Sequence, residues 1–124
     1  MIGFSVDPID TVRVGFIGLG MRGDGAVDRF TYIDGVEIVA LCDIEEDRVN
    51  EIQKLLAERG RPAADAYFGS EEAWKELCQR EDLDLVYIVT DWKMHTPMAV
   101  YAMEQGKHVA IEVPAATSID ECWQ

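Results

Sequence analysis

The sequence predicts an α/β domain built on an open, mainly parallel sheet with helices on both faces. Three observations carry this. β-rich runs alternate with segments of helical periodicity from Val12 onward, which is the pattern of strands joined by crossover helices. The run 36–42 is nearly continuous in apolar residues, as expected of a strand covered on both faces, and 83–90 is the clearest strand in the chain. A glycine cluster, Gly18-Leu19-Gly20-Met21-Arg22-Gly23, separates the first strand from the first helix.

Residues 1–11 contain Gly3, Pro8 and two aspartates without a sustained period, and they read as a lead-in. Residues 12–17 form the first strand. Ala26, Val27, Phe30 and Ile33 then recur at helical spacing. The second strand spans 36–42 and ends at Asp43. Over 45–59, Val49, Ile52, Leu55 and Leu56 share one helical face, and Gly60 and Pro62 supply the stop. Ala66-Tyr67-Phe68 allows a short third strand. Ser70 is placed to cap a helix whose inner face is Trp74, Leu77 and Cys78. After the strand at 83–90, Thr96 and Pro97 read as N-cap and first helical residue, Ala99, Val100, Ala102 and Met103 as the apolar stripe, and Gly106 as the stop. His108 to Ile111 is a fifth strand. Ser118 and Glu121 make an S-x-x-E capping box three residues before the end at Gln124. A helix that short is unstable alone, so the chain reads as a cut-out from a longer protein.

Composition narrows the function. The 124 residues carry 24 acidic and 11 basic side chains, a formal charge of −13, and the mean hydropathy is −0.06 with 48% hydrophobic residues. That is enough apolar material for one core. An acidic surface of this kind repels phosphate backbones and anionic lipid, which argues against nucleic-acid and membrane partners. No apolar run approaches the roughly 20 residues needed to span a bilayer. The three cysteines, Cys42, Cys78 and Cys122, are scattered and read as free thiols, with neither a disulfide framework nor a metal site. Residues 1–10 lack the pattern of an export signal. The compartment stays open: cytoplasmic if the start is native, periplasmic if a leader has been removed.

Gly18, Gly20 and Gly23 fit G-x-G-x-x-G between a strand and a helix. The first glycine permits the tight turn, the second lets backbone approach a pyrophosphate, and the third allows close helix–strand packing. Asp43 lies 20 residues past Gly23, where a carboxylate accepts the ribose hydroxyls of NAD and repels the 2′-phosphate of NADP. The structural alternative makes Asp43 the cap of the following helix. A methyltransferase also uses a glycine turn followed by an acidic strand end, so these features alone leave the cofactor class open.

Further motifs reduce that choice. Val14-Gly15-Phe16-Ile17-Gly18-Leu19-Gly20, Asp43, the stretch 84–95, and Gly106-Lys107-His108-Val109 leading into Glu112-Val113-Pro114 together resemble the N-terminal NAD-binding domain of the Gfo/Idh/MocA oxidoreductases. The resemblance runs from Val12 to nearly the end of the chain. It implies a Rossmann-type domain over 12–124, truncated before a C-terminal substrate domain. Members usually carry Glu-Lys-Pro after the fifth strand, and here Val113 stands in the lysine's place. Valine moves no proton. The family's Thr-Pro-Asn…His segment appears as Thr90-Asp91-Trp92-Lys93-Met94-His95.

These departures, with Met21-Arg22 in the loop and Glu112-Val113-Pro114-Ala115-Ala116, resemble glycoside hydrolase family 109. That branch contains NAD-dependent α-N-acetylgalactosaminidases. Its mechanism is a transient oxidation of the sugar followed by elimination, water addition and re-reduction, unlike the two-carboxylate route. The resemblance implies cofactor contact by Gly18, Gly20, Met21, Arg22, Gly23, Asp43, Thr90, Trp92, Lys93, Met94, His95, Glu112 and Val113. It places the catalytic groups outside this chain, in a C-terminal domain acting on a small sugar, within a full-length homo-oligomer. An NAD-dependent sugar or polyol dehydrogenase and a non-catalytic dinucleotide-binding module stand as the alternatives.

Several residues carry competing readings. His95 reads as a loop residue just before a helix, facing the cofactor. Trp92 fits a hydrophobic lid and a cofactor-stacking ring equally. Glu112 fits a strand-end ion pair, although carboxyl ends of parallel strands face the ligand crevice. Trp74 reads as core and His108 as structural.

Overall fold

The computed structural model describes residues 5–124; residues 1–4 of the expected lead-in lie outside the described residues. Residues 5–11 are irregular and exposed, and regular structure begins at Val12. The elements are β1 (Val12–Ile17), α1 (Met21–Phe30), β2 (Val36–Cys42), α2 (Glu46–Glu58), β3 (Asp65–Tyr67), α3 (Ala73–Cys78), β4 (Leu85–Ile88), α4 (Trp92–Glu104) and β5 (His108–Ile111), followed by a 3₁₀ turn at Glu121–Trp123. The five strands lie in the order β3-β2-β1-β4-β5, and every pairing is parallel. This is the doubly wound Rossmann-type sheet, and its topological switch point lies between β1 and β4.

Side chains alternate across each strand, so β1 feeds two separate cores. Val14 and Phe16 join Ala26, Val27, Val49, Ile52 and Leu56 under α1 and α2. Ile17 instead joins Trp74, Leu77, Cys78, Val86, Ile88, Met98 and Ala102 under α3 and α4. On the first face Phe16 stacks on Tyr87 and meets Phe30 edge-on, at centroid distances of 5.4 and 5.2 Å. Among the described residues no helix is long and apolar enough to cross a membrane. Cys42 and Cys78 are buried free thiols, and burial pushes them up to about 12 and about 11.

Four local expectations change. α1 ends at Phe30, leaving Ile33 44% exposed in the following turn rather than on the helix face. The third strand is Asp65–Tyr67, one residue earlier than Ala66-Tyr67-Phe68, and Phe68 is exposed. α3 begins at Ala73: the Ser70 hydroxyl accepts the Glu72 N–H at 3.1 Å, forming a turn ahead of the helix rather than its cap.

The largest change is in α4, which starts at Trp92 instead of at Thr96 and Pro97. Asp91 is its N-cap, accepting the Lys93 N–H at 3.0 Å. Pro97 therefore lies inside the helix, where it cannot bond to the Lys93 carbonyl. Both residues are exposed.

At the amino end of the sheet, Arg13 clasps Asp84 across 71 positions of sequence. Its Nε and Nη2 donate to the two carboxylate oxygens at 3.0 and 2.9 Å, and its backbone N–H donates at 2.9 Å. The Arg13 hydrogen bonds hold the Asp84 carboxyl below the usual carboxylate range. Stability from a depressed carboxyl is present above its unfolded value, near pH ~4, and is lost as pH falls through the lower folded value. Asp84→Asn is therefore expected to melt at a lower temperature than the parent at pH 7, with the gap closing as acid protonates the parent's carboxyl. Equal melting temperatures at pH 7 would show that the pair contributes nothing.

Candidate functional site

The carboxyl ends of β1, β2 and β4 surround a cleft of about 640 Å³ at the switch point, lined in part by Gly18, Gly20, Asp43, Arg48, Thr90 and Met94. Gly18 leaves β1 at φ +92°, and a Cβ there would lie 2.4 Å from the Val89 carbonyl oxygen. Only glycine lets the two loops pass so closely. Gly23 sits in the first turn of α1, where a Cβ would meet the Gly18 carbonyl oxygen at 2.0 Å. Gly20 differs, because a Cβ would approach nothing nearer than the Arg48 guanidinium, at 3.4 Å. The middle glycine thus clears space in front of the α1 N-terminus, and it supplies no side-chain cap to that helix. A helix start without a side-chain cap, backed by an open glycine, suits an anion.

Asp43 is 8% exposed. Its Oδ2 accepts the Leu19 N–H at 2.7 Å and its Oδ1 accepts the Glu45 N–H at 3.0 Å. The carboxylate thereby ties the glycine loop to the start of α2, and each oxygen keeps a second lone pair. α2 itself is capped at Glu45, so Asp43 is not its N-cap residue. Arg48 stands beside this carboxylate, with Nη1 3.7 Å from Oδ2 and Nη2 3.2 Å from Glu45 Oε1.

The other expected site residues are distributed around this cleft. Met21 projects into solvent and lines a separate hollow with Asp24, Arg48 and Glu51. Arg22 and Lys93 are exposed, as are Trp92 at 64% and Val113 at 80%. His95 does not sit in a loop. It lies within α4 at 1% exposure, with Nδ1 2.8 Å from the Pro114 carbonyl oxygen and Nε2 3.1 Å from that of Thr90. Thr96 Oγ1 donates to the Ala115 carbonyl at 2.7 Å. Together these two side chains hold the segment following β5 against α4. Glu112 accepts the Tyr87 hydroxyl at 3.2 Å, and burial followed by this bond raises the Tyr87 phenol.

Sequence reasoning passed over Arg48, although its place in the first turn after an acidic strand end was visible. It assigned Trp74 to the core, where it packs on Tyr101, but the indole also borders the cleft. Its Nε1 is the one buried side-chain polar atom among the described residues with no partner. A smaller hollow of about 250 Å³ opens at the amino ends of the strands. Its Arg61 and Arg80 are already bonded to the Thr31 carbonyl and to Asp82. No group of His, Cys, Asp and Glu among the described residues could hold a metal ion.

Residues 12–124 match the Gfo/Idh/MocA model, described as an oxidoreductase family with an NAD-binding Rossmann fold. The chain is 63% identical over 116 residues to a glycosyl hydrolase family 109 protein of Bacteroides thetaiotaomicron, covering 94% of this chain and 25% of the relative. It is 53% identical over 124 residues to an alpha-N-acetylgalactosaminidase of Bacteroides fragilis, covering 100% of the chain and 29% of the relative. Among solved structures, the NAD(H) and myo-inositol complex of Lactobacillus casei myo-inositol dehydrogenase superposes with a TM-score of 0.76 at 27% identity, covering 91% of this chain and 31% of that one. The chain thus spans about a quarter to a third of the length of these relatives.

The glycine geometry separates packing from access. Gly23→Ala forces a methyl into the Gly18 carbonyl and is expected to cost about 1–3 kcal/mol in urea denaturation. Gly20→Ala meets only a flexible side chain and should cost less than about 1 kcal/mol. Equal losses would contradict the close approach at Gly23.

Proposed function

The chain belongs to the Gfo/Idh/MocA oxidoreductases through their NAD-binding Rossmann domain, and from that premise we propose that the whole protein is a redox-cycling glycosidase acting on α-N-acetylgalactosaminides. Two observations support this reading. The segment after β5 presents Val113, 80% exposed, where dehydrogenases of the family place a lysine, and a relative 53% identical over the full chain is named an alpha-N-acetylgalactosaminidase.

NAD, when bound, supplies reversible hydride transfer. The residues present fit it: Gly20 clears the approach to an uncapped helix start, and the buried Asp43 carboxylate retains lone pairs for ribose hydroxyls. In this proposal Thr90 and Met94 line the cofactor cleft, and Met21, Arg22, Trp92, Lys93, Glu112 and Val113 form its rim. Gly18 and Gly23 set the loop. His95 acts through others: its ring lies between the Thr90 and Pro114 carbonyls and donates to one of them, close to the backbone that presents Val113. Glu112 is oriented by Tyr87. Val113 itself moves no proton, so in this reading the sugar chemistry falls to a C-terminal domain, and this chain alone binds cofactor without turnover.

A second reading is an NAD-dependent sugar or polyol dehydrogenase, favoured by the likeness to myo-inositol dehydrogenase. The intact protein given an aryl α-N-acetylgalactosaminide and NAD decides between them. Aglycone release without net NADH is expected. NADH formed from a free sugar or polyol, with no aglycone released, would move the protein to the dehydrogenases.

For the cofactor, Asp43→Ala is expected to weaken NAD binding by at least about tenfold, since two charge-assisted hydrogen bonds to the ribose are lost. Its preference for NAD over NADP should narrow in the same titration. Equal affinity of the parent for both dinucleotides would sink the ribose assignment.

A further inference from the structure

Arg48 stands where the cleft needs a positive charge. The cleft wall carries Asp43, Glu71, Glu72 and Asp91, and Arg48 is the one basic residue among those lining it. The whole chain adds a net charge of −13. A dinucleotide pyrophosphate bears two negative charges, so its entry into this surface is opposed except where backbone N–H groups or a cation meet it. The guanidinium is the nearest group to the space that Gly20 leaves open, 3.4 Å from a Cβ built there. The middle glycine of this motif is the point at which backbone approaches a pyrophosphate.

The present partners of Arg48 are loose. Nη2 lies 3.2 Å from Glu45, whose side chain is 62% exposed, and Nη1 lies 3.7 Å from Asp43, beyond hydrogen-bond reach. Such an exposed bridge contributes little and exchanges readily. The arginine side chain is itself 43% exposed, and it rises from the first turn of α2, whose backbone is fixed by the buried Val49 and Ile52.

We propose that Arg48 is a cofactor-binding residue that receives the pyrophosphate, exchanging its bridge to Glu45 for the phosphate while remaining beside Asp43. This rests on the dinucleotide-binding reading above. The role is one of charge rather than of shape, which separates it from the packing function of α2. It also makes Glu45 a competitor for the guanidinium: removing its charge frees Arg48 for the ligand.

The test is NAD titration of the intact protein by calorimetry at low and high KCl, for the parent, Arg48→Met, Arg48→Lys and Glu45→Gln. Arg48→Met is expected to bind about tenfold more weakly at low salt, with a flatter salt dependence, because exposed charge attraction is what salt screens. Arg48→Lys should recover most of the affinity, and Glu45→Gln should bind as tightly as the parent or up to about threefold tighter. Parent-like binding by Arg48→Met overturns the proposal, as does a lysine variant no better than methionine. Should Arg48→Met fail to fold, weaker binding by Glu45→Gln overturns it, because the competitor role is then wrong. A parent that binds no NAD at any salt defeats the dinucleotide reading itself.

Discussion

The carboxylate of Asp43 is the constraint on which the cofactor end of this domain depends. By accepting the Leu19 N–H at 2.7 Å and the Glu45 N–H at 3.0 Å, it joins the loop after β1 to the loop after β2. Those backbone donors are buried or half-buried and would otherwise need partners. The glycine loop is thus held open by a charge from the neighbouring strand rather than by its own sequence alone. Gly18 and Gly23 then decide how near the loop passes to β4 and α1. One side chain serves both the scaffold and the ligand crevice.

Around that tie the fold separates two demands. The apolar demand is met by two cores, one on each face of a sheet whose central strand sends Phe16 one way and Ile17 the other. The polar demand collects at the strand ends: Arg13 with Asp84 at the amino end, and the Asp43, Arg48 and Glu45 group at the carboxyl end. An acidic chain can still hold an anionic cofactor because the potential that matters is local. The uncapped α1 start and a half-exposed guanidinium face the cleft, while most carboxylates are exposed to solvent elsewhere on the surface.

The segment after β5 is tied to the rest of the domain by side-chain hydrogen bonds. His95 and Thr96 grip the Pro114 and Ala115 carbonyls, and Tyr87 holds Glu112, so Val113 is presented from a fixed backbone. Val113 itself carries no ionisable group, and this chain spans only 25% and 29% of the length of the two relatives named above.

Much of the architecture was legible because its determinants are local. Apolar periods of two and 3.6 residues place strands and helices, glycine spacing marks the phosphate loop, and an acidic strand end follows at the distance a βαβ unit imposes. These made the fold class legible, and Gly18, Gly20 and Asp43 line the cleft at the strand ends. What sequence could not determine were choices between competing local signals and choices settled by distant partners. Pro97 reads as a helix start, but Asp91 caps the helix and sets the start at Trp92. That shift rotated His95 from an expected cofactor-facing loop into the interior, onto carbonyls 5 and 19 residues away. Arg48 acquired meaning only when folding brought it beside Gly20, because neither residue alone encodes their proximity. Local pattern determines which elements form, whereas side-chain direction at the site depends on contacts between elements, and only the tertiary structure supplies those.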